Sequence, residues 1–393
     1  MRNIILTGGE LFNKGAQAMT FVAVSELRRR FPDHRIYLLS EMDLERPEAE
    51  RKQYGFDFLG WYPIKFARAR KNPILRLLCR LRSGAELQQC EDVYKNCDAM
   101  LDISGYALGS NWSRANNERY LNQLEFAHSF GIPVYLMPQS FGPFDFGPEH
   151  PGIDKRCRKL LPGCRAILSR EQEGYDALVG TYGLTNVRLA PDLVLNNRGI
   201  DLHHVFRDLP ELEIPDVEPG TVGIVPNGRN LSVGSAEAVV DLYAAAVSRA
   251  LEQGRRVCLL HHATSDAKLC KELKDRFSGD GRVMLLEREL SCLEFNELVK
   301  KFDYLVASRF HSIVHAFKNG VPCVALGWAK KYEVLLDRFG QGDYLFDVRN
   351  DPSADALLAA MDRLDRCHRA ESEKIIAALE LVQQENVFDV IAL

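Results

Sequence analysis

The chain has 393 residues, of which 46% are hydrophobic and 26% are charged, and its formal net charge at pH 7 is −4. This composition is typical of a soluble globular protein. The slightly negative net charge gives no support for a general nucleic-acid binder. The length exceeds what one hydrophobic core ordinarily organises, so we expect two domains.

The ten cysteines are scattered, form no Cys-x-x-Cys pair, and fall in several cases inside apolar strand or helix patterns. We expect them to be reduced core residues of a cytoplasmic protein. No apolar run reaches the roughly 18 residues that a membrane-spanning helix needs. The chain also enters a strand at Asn3, so neither a signal peptide nor a membrane span is expected.

The first half of the chain alternates between short apolar runs and longer amphipathic stretches. This alternation predicts an open, mainly parallel sheet with helices on both faces. The predicted strands cover residues 3–7, 35–40, 98–104, 132–137, 166–169 and 187–190.

A glycine-rich loop, residues 8–15, separates the first predicted strand from a helix. It lacks the third glycine of a dinucleotide-binding loop and the Gly-Lys-Ser/Thr ending of a P-loop. One interpretation is a ligand-facing turn, because Asn13 and Gln17 place polar groups beside Gly8 and Gly9. The other is that the two glycines only relieve a tight turn.

A basic, amphipathic stretch lies between Asp57 and Glu86, with no acidic residue in between. Residues 64–82 could rest on an anionic membrane surface. The alternative is a solvated helical insertion packed on the domain. The expected location is therefore cytoplasmic, with peripheral contact at the inner membrane face as an open alternative.

An irregular, acidic and proline-containing segment, residues 196–220, is expected to link two domains. The predicted division is an N-terminal α/β domain at 1–195, this linker, and a C-terminal α/β domain at 221–393 that ends in helices. Two Rossmann-like domains whose parallel sheets face a cleft have the architecture of GT-B-type transferases. The strands predicted in the second domain cover residues 221–225, 257–260, 283–286, 304–307 and 323–326.

The most informative stretch runs from Asp303 to Lys331 and reads as strand, helix, strand. In such a unit a ligand lies outside the carboxyl ends of the strands, near the helix N-terminus. Arg309, His311 and Lys331 would converge there and form a site for a small dianion. The alternative is that Arg309 caps a sheet edge, His311 begins a helix and Lys331 is solvated.

Other chemistries have little support in the sequence. His311 and His315 are spaced i, i+4 without the glutamate of a His-Glu-x-x-His motif, and His261-His262 lacks the usual chelating spacing. No Gly-x-Ser-x-Gly nucleophile elbow occurs. We expect no metal and no cofactor, which leaves a transferase that acts on an anionic ligand.

The chain resembles the polysaccharide pyruvyl transferases. The most specific motif is Ser308-Arg309-Phe310-His311, followed by Gly320-Val321-Pro322 and by a lysine twenty positions after the histidine. Together the motifs span residues 4 to about 335. The remaining motifs are Gly8-Gly9, Asn13-x-Gly15-x-x-Ala18, Ser169-Arg170-Glu171 and Pro191-Asp192.

The chain departs from the family pattern at two places in its first half. The family often has Gly-Asp-Glu-Ala where this chain has Gly15-Ala16-Gln17-Ala18. It often has a glycine triplet where this chain has Ser104-Gly105-Tyr106. Because these departures lie in the N-terminal domain, they affect the inference about the acceptor more than the inference about the donor.

The resemblance implies a GT-B-like enzyme that transfers the carboxyvinyl-derived unit of phosphoenolpyruvate to sugar hydroxyls as a pyruvate ketal. Phosphoenolpyruvate would be a co-substrate, and the acceptor would be a sugar or a lipid-linked oligosaccharide. By the motif match the donor-binding residues are Arg170, His311 and Lys331, with Arg309 adjacent.

His311 could also deliver a proton, because an anionic ligand nearby would favour its charged form. Asp102 or Asp192 would be the general base, or either could instead be a strand-end cap. The candidate acceptor-binding residues are Gly9, Asn13, Gln17 and Ser104.

Two other functions stay open. One is a nucleotide-sugar glycosyltransferase on the same fold. The other is a non-catalytic protein that binds a sugar or an anion.

Overall fold

A computed structural model describes residues 2–60, 88–350 and 353–393, together with Ile74 and Leu77. The strands of the described chain form two sheets in which every strand pairing is parallel. The first sheet contains β1 Asn3–Thr7, β2 Arg35–Leu39, β3 Asp57–Leu59, β4 Cys97–Asp102, β5 Tyr106–Leu108, β6 Val134–Phe141, β7 Ala166–Ser169 and β8 Val187–Leu189. The second contains β9 Thr221–Val225, β10 Arg256–Leu260, β11 Val283–Leu286, β12 Leu305–Ala307, β13 Cys323–Gly327 and β14 Leu345–Asp347.

Each sheet is wound in two directions from a central strand. The order is β3-β2-β1-β4-β6-β7-β8 in the first sheet, with β5 beside β6, and β11-β10-β9-β12-β13-β14 in the second. The order therefore reverses between β1 and β4 and again between β9 and β12. Ligands of such sheets bind outside the carboxyl ends of the strands at these reversal points.

Helices cover both sheets, and most of them begin after a strand. α1, which spans 17 residues, starts where the Asn13 side chain accepts hydrogen bonds from the backbone N–H groups of Gly15 and Ala16. The helices with both ends described are α1 Lys14–Arg30, α2 Glu41–Leu44, α3 Glu48–Arg51, α4 Arg114–Ser129, α5 Ile153–Leu160, α6 Gln172–Tyr182, α7 Leu193–Asn196, α8 Leu202–Val205, α9 Asn230–Val233, α10 Ala236–Glu252, α11 Ala267–Arg276, α12 Cys292–Val299, α13 Phe310–Lys318, α14 Lys330–Arg338 and α15 Ala354–Val382.

The predicted α/β alternation is confirmed, and the predicted strands are present with ends shifted by a few residues. The strands that the sequence did not predict, β3, β5 and β14, have three residues each. The C-terminal helical region, labelled α15, consists of two helical segments joined by a kink at Cys367, where the backbone is non-helical.

The strands of the first sheet all precede residue 190, and those of the second all follow residue 220. We therefore keep the division at 1–195, 196–220 and 221–393 as a proposal, with one adjustment at the chain end. The hydroxyl of Tyr135 donates to the Ala392 carbonyl at 2.9 Å, and Arg30 pairs with Asp389 at 2.6 Å. The residues after Val382 thus pack on the first half of the chain.

Three further expectations concern composition. Within the described ranges the cysteines are free, and most of them are buried. No helix in those ranges is long and apolar enough to cross a membrane. The basic stretch at 64–82 lies outside the described residues, apart from Ile74 and Leu77, so its contact with a membrane stays a prediction.

The end of α13 generates a stability prediction. Gly320 follows this helix with φ +71°, and an added Cβ would lie 2.9 Å from Cγ1 of Ile376. Gly131 follows α4 with φ +73°, but nothing lies within 4 Å of its added Cβ. We expect Gly131→Ala to cost about 1 kcal/mol through backbone strain, and Gly320→Ala about 2–3 kcal/mol because overpacking adds to it.

The measurement is the free energy of unfolding of both variants from denaturant titration. Equal losses would show that Ile376 yields to the new methyl group without cost.

Candidate functional site

The carboxyl ends of the two sheets bring four of the predicted residues together. Arg170 directly follows β7, and Asp192 lies three residues after β8. His311 and Lys331 occupy the first turns of α13 and α14, which follow β12 and β13. Each residue therefore lies at the sheet edge where α/β proteins bind ligands.

Arg170 is held almost entirely by the first half of the chain. Its side chain is buried, and Nη1 donates to Oδ2 of Asp192 at 2.8 Å. Nη2 donates to the Gly105 carbonyl at 2.7 Å and to the Ser140 hydroxyl at 2.8 Å. These contacts fix both the position and the plane of the guanidinium group.

His311 lies beside this ion pair, with Nε2 3.8 Å from Oδ2 of Asp192. Burial lowers the pKa of His311 to about 4, which Asp192 opposes while Arg170 and Lys331 add to it. For Asp192, burial acts to raise the pKa, but His311 and Arg170 bring it below its ordinary value. At neutral pH in the absence of ligand, the imidazole is therefore neutral and the carboxylate is charged.

Lys331 is a cation for which the described residues provide no carboxylate at ion-pair distance. Its Nζ instead lies over the ring of Phe310, 5.0 Å from the centroid, and 5.8 Å from the centroid of Tyr332. Burial and then the charge of Arg170 lower the pKa of Lys331 to about 8, against the opposing effect of Glu171. Anything anionic that binds here would favour the protonated amine.

Phe310 was not singled out by the sequence analysis. Its ring lies 4.9 Å from Cζ of Arg170 as well as 5.0 Å from Nζ of Lys331. The residue forms part of the Ser308–His311 motif, but an apolar residue between two polar ones reads as an ordinary core position. Only the fold shows that cations from two separate elements meet on this ring.

Arg309, predicted as a donor-binding residue, is already paired inside the second half of the chain. Its Nε and Nη2 donate to the two carboxylate oxygens of Asp266 at 2.8 and 2.6 Å, and Nη2 also donates to Ser265 at 3.0 Å. Asp266 is fully buried and also accepts from the backbone N–H of Gly228. Sequence reasoning missed Asp266, because its distance from Arg309 along the chain hides the pair.

Asp102 lies behind the site. It is buried, with Oδ1 accepting from Nε2 of Gln139 at 2.8 Å and Oδ2 accepting from Ser104 at 3.0 Å. Burial raises the pKa of Asp102 to about 6 despite these hydrogen bonds. Asp102 is connected to Arg170 only indirectly, through Gln139. The side chain of Gln139 donates to Asp102, and its backbone carbonyl accepts from the backbone N–H of Arg170.

The candidate acceptor residues make contacts within the protein. An added Cβ at Gly9 would lie 2.4 Å from the Thr20 hydroxyl, so this glycine is required by close packing. The side-chain oxygen of Gln17 accepts from the backbone N–H of Cys292 at 2.6 Å, across the interface between the two halves. Asn13 caps α1, and Ser104 bonds to the carboxylate behind the site as described above.

The start of α1 also packs closely against His311. An added Cβ at Gly15 would lie 2.4 Å from Cγ of His311, so only glycine lets the helix approach this ring. The neighbouring Lys14 is 2% exposed and donates to the His262 carbonyl at 3.0 Å. The glycine-rich loop thus joins the two halves of the protein next to the site.

No group of three or more His, Cys, Asp or Glu residues that could hold a metal ion occurs in the part of the chain that the structure describes.

Two of the solved structures with similar folds contain a bound nucleotide sugar. The complex of Medicago truncatula UGT71G1 with UDP-glucose has a TM-score of 0.55 at 13% identity, covering 99% of this chain and 96% of that one. The UDP-GlcNAc 2-epimerase from Neisseria meningitidis bound to UDP-GlcNAc has a TM-score of 0.58 at 12% identity, covering 97% and 98%. These similarities show that the fold is GT-B, as predicted.

A search of curated proteins found no match to this chain. A model of the polysaccharide pyruvyl transferase family, in contrast, matches residues 13–330, which include Arg170, Asp192 and His311 and end one residue before Lys331. The chain therefore belongs to the polysaccharide pyruvyl transferase family, a family of transferases.

Proposed function

We propose that the chain transfers the pyruvyl unit of phosphoenolpyruvate onto hydroxyls of a polysaccharide or its precursor, forming a pyruvate ketal and releasing phosphate. The observation that carries this proposal is the meeting of Arg170 and Lys331 on one aromatic ring beside His311. Phosphoenolpyruvate carries a phosphate and a carboxylate, and such a ligand needs more than one cation. Arginine suits planar, bidentate contacts, and lysine serves as a point charge.

The distribution of counter-charges suggests how the donor is shared among the cations. Arg170 and Arg309 each have a carboxylate partner, Asp192 and Asp266 respectively, whereas Lys331 has none among the described residues. Lys331 therefore offers the largest uncompensated charge to an incoming dianion. The N-terminus of α13 adds partial positive charge close by.

The proposed reaction has two additions at the same carbon. The methylene carbon of the donor gains a proton, and one sugar hydroxyl adds to the neighbouring carbon and loses its proton. The bond from that carbon to the phosphate oxygen then breaks, and a second hydroxyl adds with loss of its proton to close the ring. One hydroxyl proton balances the new methyl group, and the other leaves with phosphate.

His311 is the proposed proton donor to the methylene carbon. It is neutral in the free protein, so it must gain a proton when the dianion binds and raises its pKa. Asp192, held ionised by its neighbours, would stabilise the resulting imidazolium. We keep Asp102 and Asp192 as candidates for the general base, with Asp192 the one that contacts the cluster.

The acceptor is proposed to bind at the first sheet. The side-chain oxygens of Asn13 and Gln17 are used within the protein, and their amide nitrogens would donate to sugar hydroxyls. Ser104 and Gly9 would line the proposed acceptor site.

No cofactor is proposed. The direct test is release of phosphate from phosphoenolpyruvate in the presence of a panel of lipid-linked and nucleotide-linked sugars.

The first prediction compares donors. Phosphoenolpyruvate should raise the melting temperature more than UDP-glucose does at equal concentration, because a ligand that binds only the native state stabilises it by mass action. Thermal unfolding with each ligand measures the difference. A larger shift with UDP-glucose would favour a glycosyltransferase on this fold.

The second prediction concerns Lys331 and pH. Lys331→Gln should weaken phosphoenolpyruvate binding about ten- to a hundredfold, the effect of removing one charge-assisted contact. In the unchanged protein, affinity should fall by up to about tenfold per pH unit above pH 8, because Lys331 loses its proton there and only the protonated amine attracts the dianion. Charged groups that face this amine are Arg170, Glu171, Asp192 and Arg309.

Lys330→Gln is the matched control. Its side chain is adjacent in sequence but exposed and paired with Glu333. Titration calorimetry from pH 7 to 9.5 should show the fall in affinity for the unchanged protein and for Lys330→Gln, and its absence in Lys331→Gln. A fall of equal size in all three would assign the titration to another group.

The third prediction separates catalysis from binding. His311→Asn should lower kcat about 10²–10⁴-fold while the affinity for phosphoenolpyruvate falls far less, as expected when a proton donor is lost. Arg170→Ala is a poorer probe, because it would leave the buried carboxylate of Asp192 without its partner and destabilise the protein. Near-normal turnover by folded His311→Asn would remove His311 from the mechanism.

A further inference from the structure

We propose that Phe310 is a positioning residue whose aromatic ring holds Arg170 and Lys331 together at the donor site and leaves the charge of Lys331 unneutralised. The inference rests on the proposed function, because phosphoenolpyruvate is the ligand that the two cations would share. It assigns to Phe310 an electrostatic role in addition to packing.

The two cations follow strands of different sheets, β7 in the first sheet and β13 in the second. The hydrogen bonds of Arg170 all go to the first half of the chain, whereas Lys331 lies in the first turn of α14 in the second half. Cζ of Arg170 lies 4.9 Å and Nζ of Lys331 lies 5.0 Å from the Phe310 centroid, both within the range of a cation–π interaction. The ring is therefore a shared contact for cations that approach from opposite halves of the protein.

The orientation of the ring is fixed by its neighbours. Phe310 packs edge to face against His311, with centroids 5.4 Å apart, and against Tyr332, with centroids 5.8 Å apart. The Tyr332 hydroxyl in turn donates to the Ser308 carbonyl at 2.9 Å. Phe310 as a whole is 8% exposed, so little water competes with the cations for its ring.

An aromatic ring can hold two cations close together without adding a negative charge, which a carboxylate cannot do. Two cations brought close together repel each other, and Arg170 contributes to the lowered pKa of Lys331. A second carboxylate placed between them would relieve the repulsion, but it would also cancel the charge of Lys331, which a dianionic donor needs. The ring quadrupole attracts both cations and leaves the charge of Lys331 available to the ligand.

Stepwise fluorination separates this role from packing. Fluorine withdraws electron density from the ring and weakens its attraction for cations, with little change in shape. We would replace Phe310 with 4-fluoro-, 3,5-difluoro- and 3,4,5-trifluorophenylalanine. The Kd for phosphoenolpyruvate should rise at each step, by roughly tenfold over the series, the upper range for two weakened cation–π contacts.

A second readout does not depend on the ligand. The pKa of Lys331 in the unliganded protein, followed by NMR and assigned with Lys331→Gln, should fall at each step as the charged amine loses stabilisation. Glu171, Asp192, Arg170 and Arg309 face the same amine, and none of them is altered in the series.

Phe317 provides the matched control. It lies on the same helix, is fully buried, and packs against Phe339 with centroids 4.9 Å apart. No cation of the described residues lies over either of these two rings. The same fluorinated residues at Phe317 should change neither the Kd nor the pKa of Lys331.

The outcomes distinguish this inference from the proposed function. A constant Lys331 pKa across the Phe310 series would overturn the inference, whether or not the donor binds. A pKa that falls stepwise in a protein that does not bind phosphoenolpyruvate would support the role of the ring and overturn the proposed donor.

Discussion

The buried ion pair between Arg170 and Asp192 is the interaction on which the site depends. It joins the ends of two neighbouring strands, β7 and β8, and places a fixed negative charge beside His311. Burying either charge alone would be costly, and the pair is tolerated because its members satisfy each other and also bond to nearby hydroxyl and backbone groups. The guanidinium is thus oriented before any ligand arrives.

The other two cations of the site differ in whether they have a carboxylate partner. Arg309 is paired with Asp266, and this ion pair connects the segments that follow β10 and β12 in the second sheet. Lys331 rests on aromatic rings and keeps its charge. The site therefore combines one rigid, compensated cation with one uncompensated cation, which gives an anionic ligand both a fixed contact and a net electrostatic attraction.

The close contact between the halves of the protein depends on the glycine-rich loop. Gly15 allows the start of α1 to contact His311. Lys14 donates a hydrogen bond to the His262 carbonyl, and the side-chain oxygen of Gln17 accepts one from the backbone N–H of Cys292. The sequence had suggested a ligand-facing turn at this loop. The contacts show a second role, which is to set the distance between the first helix and the histidine.

The sequence by itself determined the α/β alternation, the two-sheet GT-B plan and the residue types at the strand ends, because apolar runs and helix stops such as Gly320 are local signals. The motif around Arg309 and His311 likewise identified the family. Only the tertiary structure decided which cations have partners. Asp266 lies 43 positions from Arg309, and Phe310 meets Arg170 from the other sheet. Such pairings depend on how strands are ordered and how two sheets face each other, and no periodicity within a segment encodes them.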